Sequence, residues 1–159
     1  MVKTEIRSMI DQIKVSNPQC IVRLAFVGYA DYADPQPPQI DFTQDLHTFQ
    51  GVLNTVSAAG GGDAAEDIFS GLQAVGRLAW SSGNLVLVHV GDYPCHGQEF
   101  HDMGSSGDSH IGGDLHGRDA AKLLLELAEG CRLDTYLFCH LTQHTQKMIC
   151  RFQELLGES

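Results

Sequence analysis

Two short stretches of this chain bring carboxylates to places where ligands are often held. One is Gly60-Gly61-Gly62-Asp63-Ala64-Ala65-Glu66-Asp67, a glycine turn running into a helix-like segment. The other is Asp92-Tyr93-Pro94-Cys95-His96-Gly97, which follows the most strand-like run in the chain, 85–91. Glycines let the backbone turn without steric cost, and the carboxyl ends of strands in open α/β sheets are where ligands bind. Asp63 and Asp92, one from each stretch, suit a hard cation with oxygen ligands. Mg2+ fits such a pair, since it keeps several waters and takes few protein carboxylates. The plainer reading is that Asp63 caps its helix, with Glu66 three residues on completing a capping box, and that Asp92 only ends its strand. The local pattern leaves both open.

The segment 94–117 contains six glycines and four histidines. Irregular segments of this length are uncommon in compact domains and are usually functional or mobile. Its Cys95, His96, His101, Asp102, His110, Asp114 and His116 are all zinc-ligand types, but no HExxH or paired CxxC frames them. The spacing therefore disfavours zinc and favours a loop hydrogen-bonded to itself. Cys95 beside His96 makes a poor nucleophile and base, because neighbours on a turn seldom face each other. No Gly-Lys-Ser/Thr follows the glycine triplet, so it is not a P-loop. It follows a helix instead of a strand, so it is not a dinucleotide fingerprint. Tyr29, Tyr32, Tyr93 and Phe100 stand near strand ends, where aromatic rings either face a partner or pack beneath the loops.

The elements that position these residues follow from hydrophobic periodicity. Val2, Ile6, Met9, Ile10 and Ile13 recur at helical spacing, and Asn17-Pro18 stops that helix. Runs 21–29, 85–90 and 135–141 read as strands, with a short edge strand at 40–42. Asp45 caps a helix through Leu46, Phe49, Leu53 and Val56. Further helices are expected over 64–80, 119–133 and 143–156, and prolines make 31–38 a surface loop. Alternating strands and helices imply a largely parallel sheet covered on both faces. One feature is out of place: the chain opens on a helix, where a doubly wound domain opens on a strand.

Composition bounds the function. The chain has 159 residues, 43% of them hydrophobic and 19% charged, which suits one globular domain with a real core. A net charge of −10 argues against nucleic acid and against anionic membranes, both of which need clustered Lys and Arg. No apolar run approaches a membrane span. Five cysteines without CxxC spacing suggest free thiols in the cytoplasm.

These stretches resemble a von Willebrand factor type A domain, more narrowly the version found beside alpha-kinase catalytic domains. The resemblance is carried by Gly60-Gly61-Gly62-Asp63-Ala64-Ala65-Glu66-Asp67 and Asp92-Tyr93-Pro94-Cys95-His96-Gly97. Val2-Lys3-Thr4-Glu5-Ile6, Phe26-Val27-Gly28-Tyr29-Ala30-Asp31, Phe100-His101 and Thr145-Gln146-Lys147-Met148-Ile149 support it. It implies a three-layer α/β fold: one mostly parallel, doubly wound sheet with helices on both faces, over a single domain 1–159. It also implies a divalent cation at the top of the sheet, with Asp63 and Asp92 at two of its three ligand positions. The third, an Asp-x-Ser/Thr-x-Ser motif after a central first strand, has no counterpart, so the expected domain is N-terminally truncated and its cation site incomplete. With no alpha-kinase catalytic segment in the chain, the resemblance implies a non-catalytic module that binds a protein partner through the top loops. The alternative is a metal-dependent hydrolase using Asp92, His96 and His101. Glu66, Cys95, His96 and His101 are secondary candidates for the metal.

Overall fold

A computed structural model describes the backbone of residues 2–57, 61–81 and 83–157, with all their side chains except those of residues 2–5 and 7. Gly60 of the glycine turn and Ser82 of the turn before the third strand lie outside the described residues. The elements in order are α1 (Val2–Ser16), β1 (Leu24–Val27), β2 (Gln39–Thr43), α2 (Leu46–Thr55), α3 (Ile68–Gly76), β3 (Val86–Gly91), α4 (Ala120–Leu125), β4 (Thr135–His140) and α5 (Gln146–Leu156). The class is mixed α/β, as expected.

The sheet is not the continuous one that the alternation implies. Among the described residues, β1 pairs antiparallel with β2 and β3 pairs parallel with β4, and the two pairs are not hydrogen-bonded to each other. The connection lengths explain the two directions. Residues 28–38 are enough for an antiparallel return, whereas β3 and β4 are joined by a long crossover that includes α4. Each pair has its own core. Ile10, Phe49 and Leu53 bury against Leu24, Phe26 and Ile40 of the first pair. Ile68, Phe69, Leu72, Phe100, Leu124, Leu127, Met148 and Phe152 form the larger core under the second, packed against Leu87, Tyr136 and Phe138. A fully buried side chain of this size contributes roughly 1.5–3 kcal/mol, so the second core is where most of the cohesion lies.

The opposite side of the second pair is bare. Val86 is 48% exposed, Val88 37% and Leu137 46%. They share one face, because Val86 lies opposite Thr135 and Val88 opposite Leu137, while Leu87 and His89 turn towards the core.

The helices α2 and α3 compare differently with the periodicity. α2 starts where Asp45 was expected to cap it, and the Asp45 carboxylate accepts from the His47 and Thr48 N–H groups. α3 does not begin at Ala64. Its cap is Asp67, which accepts from the Ser70 N–H at 3.0 Å, and the helix runs only to Gly76. The capping box of Asp63 and Glu66 does not form, because residue 66 makes a parallel bridge with Cys95 and the Glu66 N–H donates to the Pro94 carbonyl. The backbone there is extended and tied to the long loop, so the first helical turn comes later.

Candidate functional site

Loop 92–118 leaves the carboxyl end of β3 and folds back over the start of α3. Gly107 accepts from the Ala64 and Ala65 N–H groups, and Gln98 donates its N–H to Ile111. Gly97 lets the chain reverse. Its φ is +111°, and a Cβ there would sit 3.2 Å from the Gly113 Cα.

Asp108 is the centre of this loop. Its side chain is fully buried, and its two oxygens take four hydrogen bonds. Oδ1 lies 2.7 Å from His96 Nδ1 and accepts from the His110 N–H at 2.7 Å. Oδ2 lies 2.8 Å from His101 Nε2 and accepts from the Gly97 N–H at 2.8 Å. Burial alone would raise the Asp108 carboxyl, but these bonds, with His96 foremost, outweigh it and hold the group at about 2. His96 is itself 1% exposed, and its Nε2 lies 2.8 Å from Asp31 Oδ1 on the loop after β1. Burial pushes this imidazole down, yet the hydrogen bonds to Asp108 and Asp31 win and set it above its ordinary value. The ring therefore spans two carboxylates, one at each nitrogen.

A second buried knot lies beside it. Arg118 binds Asp114, Asp67 and Ser70. The Tyr32 hydroxyl donates to Asp114 Oδ1 at 2.9 Å and accepts from the Leu115 N–H at 3.0 Å. The Tyr32 ring stacks on His96, with centroids 4.7 Å apart, and on His110 at 5.0 Å. Asp114 is held at about 2, because Arg118 and Tyr32 outweigh the upward push of burial. Lys147 of α5 grips the loop from outside through the Gln98 and His101 carbonyls and the Asp102 carboxylate.

The carboxylates gather on the outer side of these knots. Glu66 is raised to about 7, first by burial and then by Asp31, Asp92 and Asp34. Asp63 Oδ2 accepts from the Ser109 N–H at 2.6 Å, whereas Asp63 Oδ1 is buried with no hydrogen-bond partner. Asp31, Asp63 and His96 offer ligand atoms that all lie within 4.8 Å of one another.

Asp63 therefore comes together with Asp31 and His96, and Asp92 stands outside that group among the described residues. Asp92 is exposed and acts on Glu66 through its charge. Cys95 is fully buried, its N–H directed at the Met148 sulfur, and burial pushes its thiol well above the ordinary value. His101 is turned onto Asp108. Asp31, Asp108 and Arg118 were absent from the candidates drawn from the sequence. Asp108 leaves one trace there. An Asp followed two residues later by a bonded N–H is an Asx turn, and Gly107-Asp108-Ser109-His110 has the composition for one.

No family model matches the chain, and no solved structure matches it. One curated protein does. Alpha-protein kinase vwkA from Dictyostelium discoideum is 28% identical over 162 residues, covering 99% of this chain and 25% of that protein. The chain thus spans about a quarter of the length of this relative. Among the described residues, no helix is long and apolar enough to cross a membrane.

Proposed function

We propose that this chain is a non-catalytic protein-binding module of the von Willebrand factor type A kind, related to the corresponding part of an alpha-kinase protein. Its partner is a protein that meets the loops at the carboxyl end of β3. One observation carries the reading: the chemistry-bearing side chains of loop 92–118 are spent on holding the loop in one shape. His96 and His101 are buried and turned onto Asp108, and Asp114 onto Arg118 and Tyr32. A loop fixed in this way offers a rigid surface, which keeps the ordering cost of binding low. The end-to-end similarity to vwkA supports the kinship. The five free cysteines fit a cytoplasmic setting.

The hydrolase reading has less support. A general base needs a ring nitrogen within reach of water or substrate. His96 carries a carboxylate on both nitrogens, and His101 Nε2 faces Asp108.

The test uses the full chain as bait in an extract of its own cells, followed by purification of the captured protein and a binding titration. A partner that binds the parent chain and loses at least tenfold in affinity with Tyr93→Ala or Asp92→Lys supports the reading. Both residues lie in the top loop and outside the buried knots. Turnover of phosphate or carboxylate esters by the purified chain, abolished by His101→Gln, would replace it with the enzyme.

A further inference from the structure

The cation arrangement implied by the resemblance needs an Asp-x-Ser/Thr-x-Ser arc that this sequence lacks, and the group of three ligand types that converges among the described residues does not include Asp92. A different set does converge. We infer that Asp31, Asp63 and His96 form a site for a borderline divalent cation such as Zn2+, bound by two carboxylate oxygens and the Nε2 of His96.

Four observations carry this. First, the three ligand atoms lie within 4.8 Å of one another. A tetrahedral ion with bonds of about 2.0–2.2 Å spaces its ligands roughly 3.4 Å apart, so the set lies close to that spacing. Second, Asp63 Oδ1 is buried and unpartnered. Leaving such an oxygen unpaired costs about 1–3 kcal/mol, and more when it is charged, and a cation is the partner that recovers it. Third, His96 is already oriented as metal-binding histidines are. Its Nδ1 lies 2.7 Å from the buried Asp108 carboxylate, which fixes the ring and leaves Nε2 on the side of Asp31. A carboxylate behind the imidazole is the usual outer partner of a ligating histidine. Fourth, the three ligands come from separate loops that the fold holds in place, with Asp63 pinned by the Ser109 N–H and Asp108 by two more backbone donors.

Two carboxylate oxygens and one imidazole leave a fourth position for water, which is the donor set of an open zinc site. The imidazole nitrogen selects Zn2+ or Co2+ over Mg2+, which prefers oxygen alone. Loading replaces the hydrogen between His96 Nε2 and Asp31 with the ion, and that proton passes to buffer. The inference goes beyond the protein-binding reading and shares His96 with it: Nδ1 stays on Asp108 and holds the loop, and only Nε2 turns to the ion.

The experiment strips the full chain with a chelator and titrates it with Zn2+ by calorimetry and by the imidazole 15N shifts, then with Co2+ while recording the visible spectrum. The expected result is one ion per chain and a Co2+ spectrum without a thiolate charge-transfer band. The His96 Nε2 resonance should move while that of His144 stays. Asp63→Asn and Asp31→Asn should each weaken Zn2+ at least 30-fold, whereas Asp92→Asn should leave it within threefold. Absence of stoichiometric binding would overturn the inference. So would a thiolate band, an unmoved His96, an Asp92→Asn effect equal to that of Asp63→Asn, or Mg2+ displacing Zn2+ at equal concentration. The parent chain alone supplies the spectra and the 15N shifts, so the outcome does not hang on whether a variant folds.

Discussion

The carboxyl end of β3 and the outer face that it shares with β4 are held by different physics. At its carboxyl end, loop 92–118 buries charged groups and pairs nearly every one, so its shape depends on a few specific hydrogen bonds. Along the outer face of the β3–β4 pair, Val86, Val88 and Leu137 lie open with no such partner, and no ladder joins this pair to β1 and β2 among the described residues. Loops are ordinarily the loose parts of a domain and sheets the firm ones. Here the loop is the more tightly specified of the two. The lesson is that stability per residue follows how many buried polar groups must find partners, and not whether the backbone is regular.

The largest expected effect tests the loop. Asp108→Asn removes the buried carboxylate shared by His96, His101 and the Gly97 and His110 N–H groups, and so breaks the network at its centre. It should cost about 3–5 kcal/mol, read as a lower midpoint in thermal unfolding of the full chain. A loss under ~1 kcal/mol would show that the knot is decoration.

Acid should attack the same region. Asp108 and Asp114 are both depressed to about 2 from 3.8, so each contributes stability above its unfolded value that is lost as pH falls towards 2. The loss is about 2 kcal/mol for each carboxylate. Urea midpoints should therefore drop between pH 4 and 2, and amide exchange in 92–118 should accelerate before exchange in α5.

A smaller effect is expected at Gly97. Gly97→Ala places a side chain at positive φ against Gly113 and should cost about 1–2 kcal/mol. Gly112→Ala, which meets nothing within 4 Å, should be close to neutral.

The smallest effect belongs to the bare face. Val88→Thr and Leu137→Thr should each change stability by no more than about 0.5 kcal/mol, because little burial is lost, and light scattering should show less self-association. A cost above ~1.5 kcal/mol at either residue would mean that this face is covered in solution, and the contrast with the loop would then fail.

Local chemistry made some of the fold readable. Asp45 announced α2 because a carboxylate before an apolar helical stripe has one good use. Strand 85–90 was readable from its unbroken apolar run. The start of α3 was misread because Asp63 and Asp67 are equally good caps. Tertiary ties decide between them, through the 66–95 bridge and the grip of Arg118 on Asp67. The split of the sheet into two pairs is invisible in periodicity, which reports faces but not neighbours. Of the candidate site, His96 and Asp63 were visible as residue types. Asp31 and Asp108 were not, because the ligand set is assembled from three loops with no fixed spacing. A spacing rule finds zinc sites built within one segment and is blind to sites built between segments.

The split also bears on how the molecule comes together in time. β1, β2 and α2 are neighbours in sequence and can close locally. The ties between the two halves are of another kind: Tyr29 to His89 joins residues 60 apart, Asp31 to His96 spans 65, and Tyr32 to Asp114 spans 82. Contacts of such long range form slowly, because the loop entropy is spent before the contact gives anything back. Folding should therefore be biphasic, with a fast hairpin-and-helix unit and a slow docking step. That docking closes a seam running from Tyr29 through His96 to Asp114, where the two halves meet.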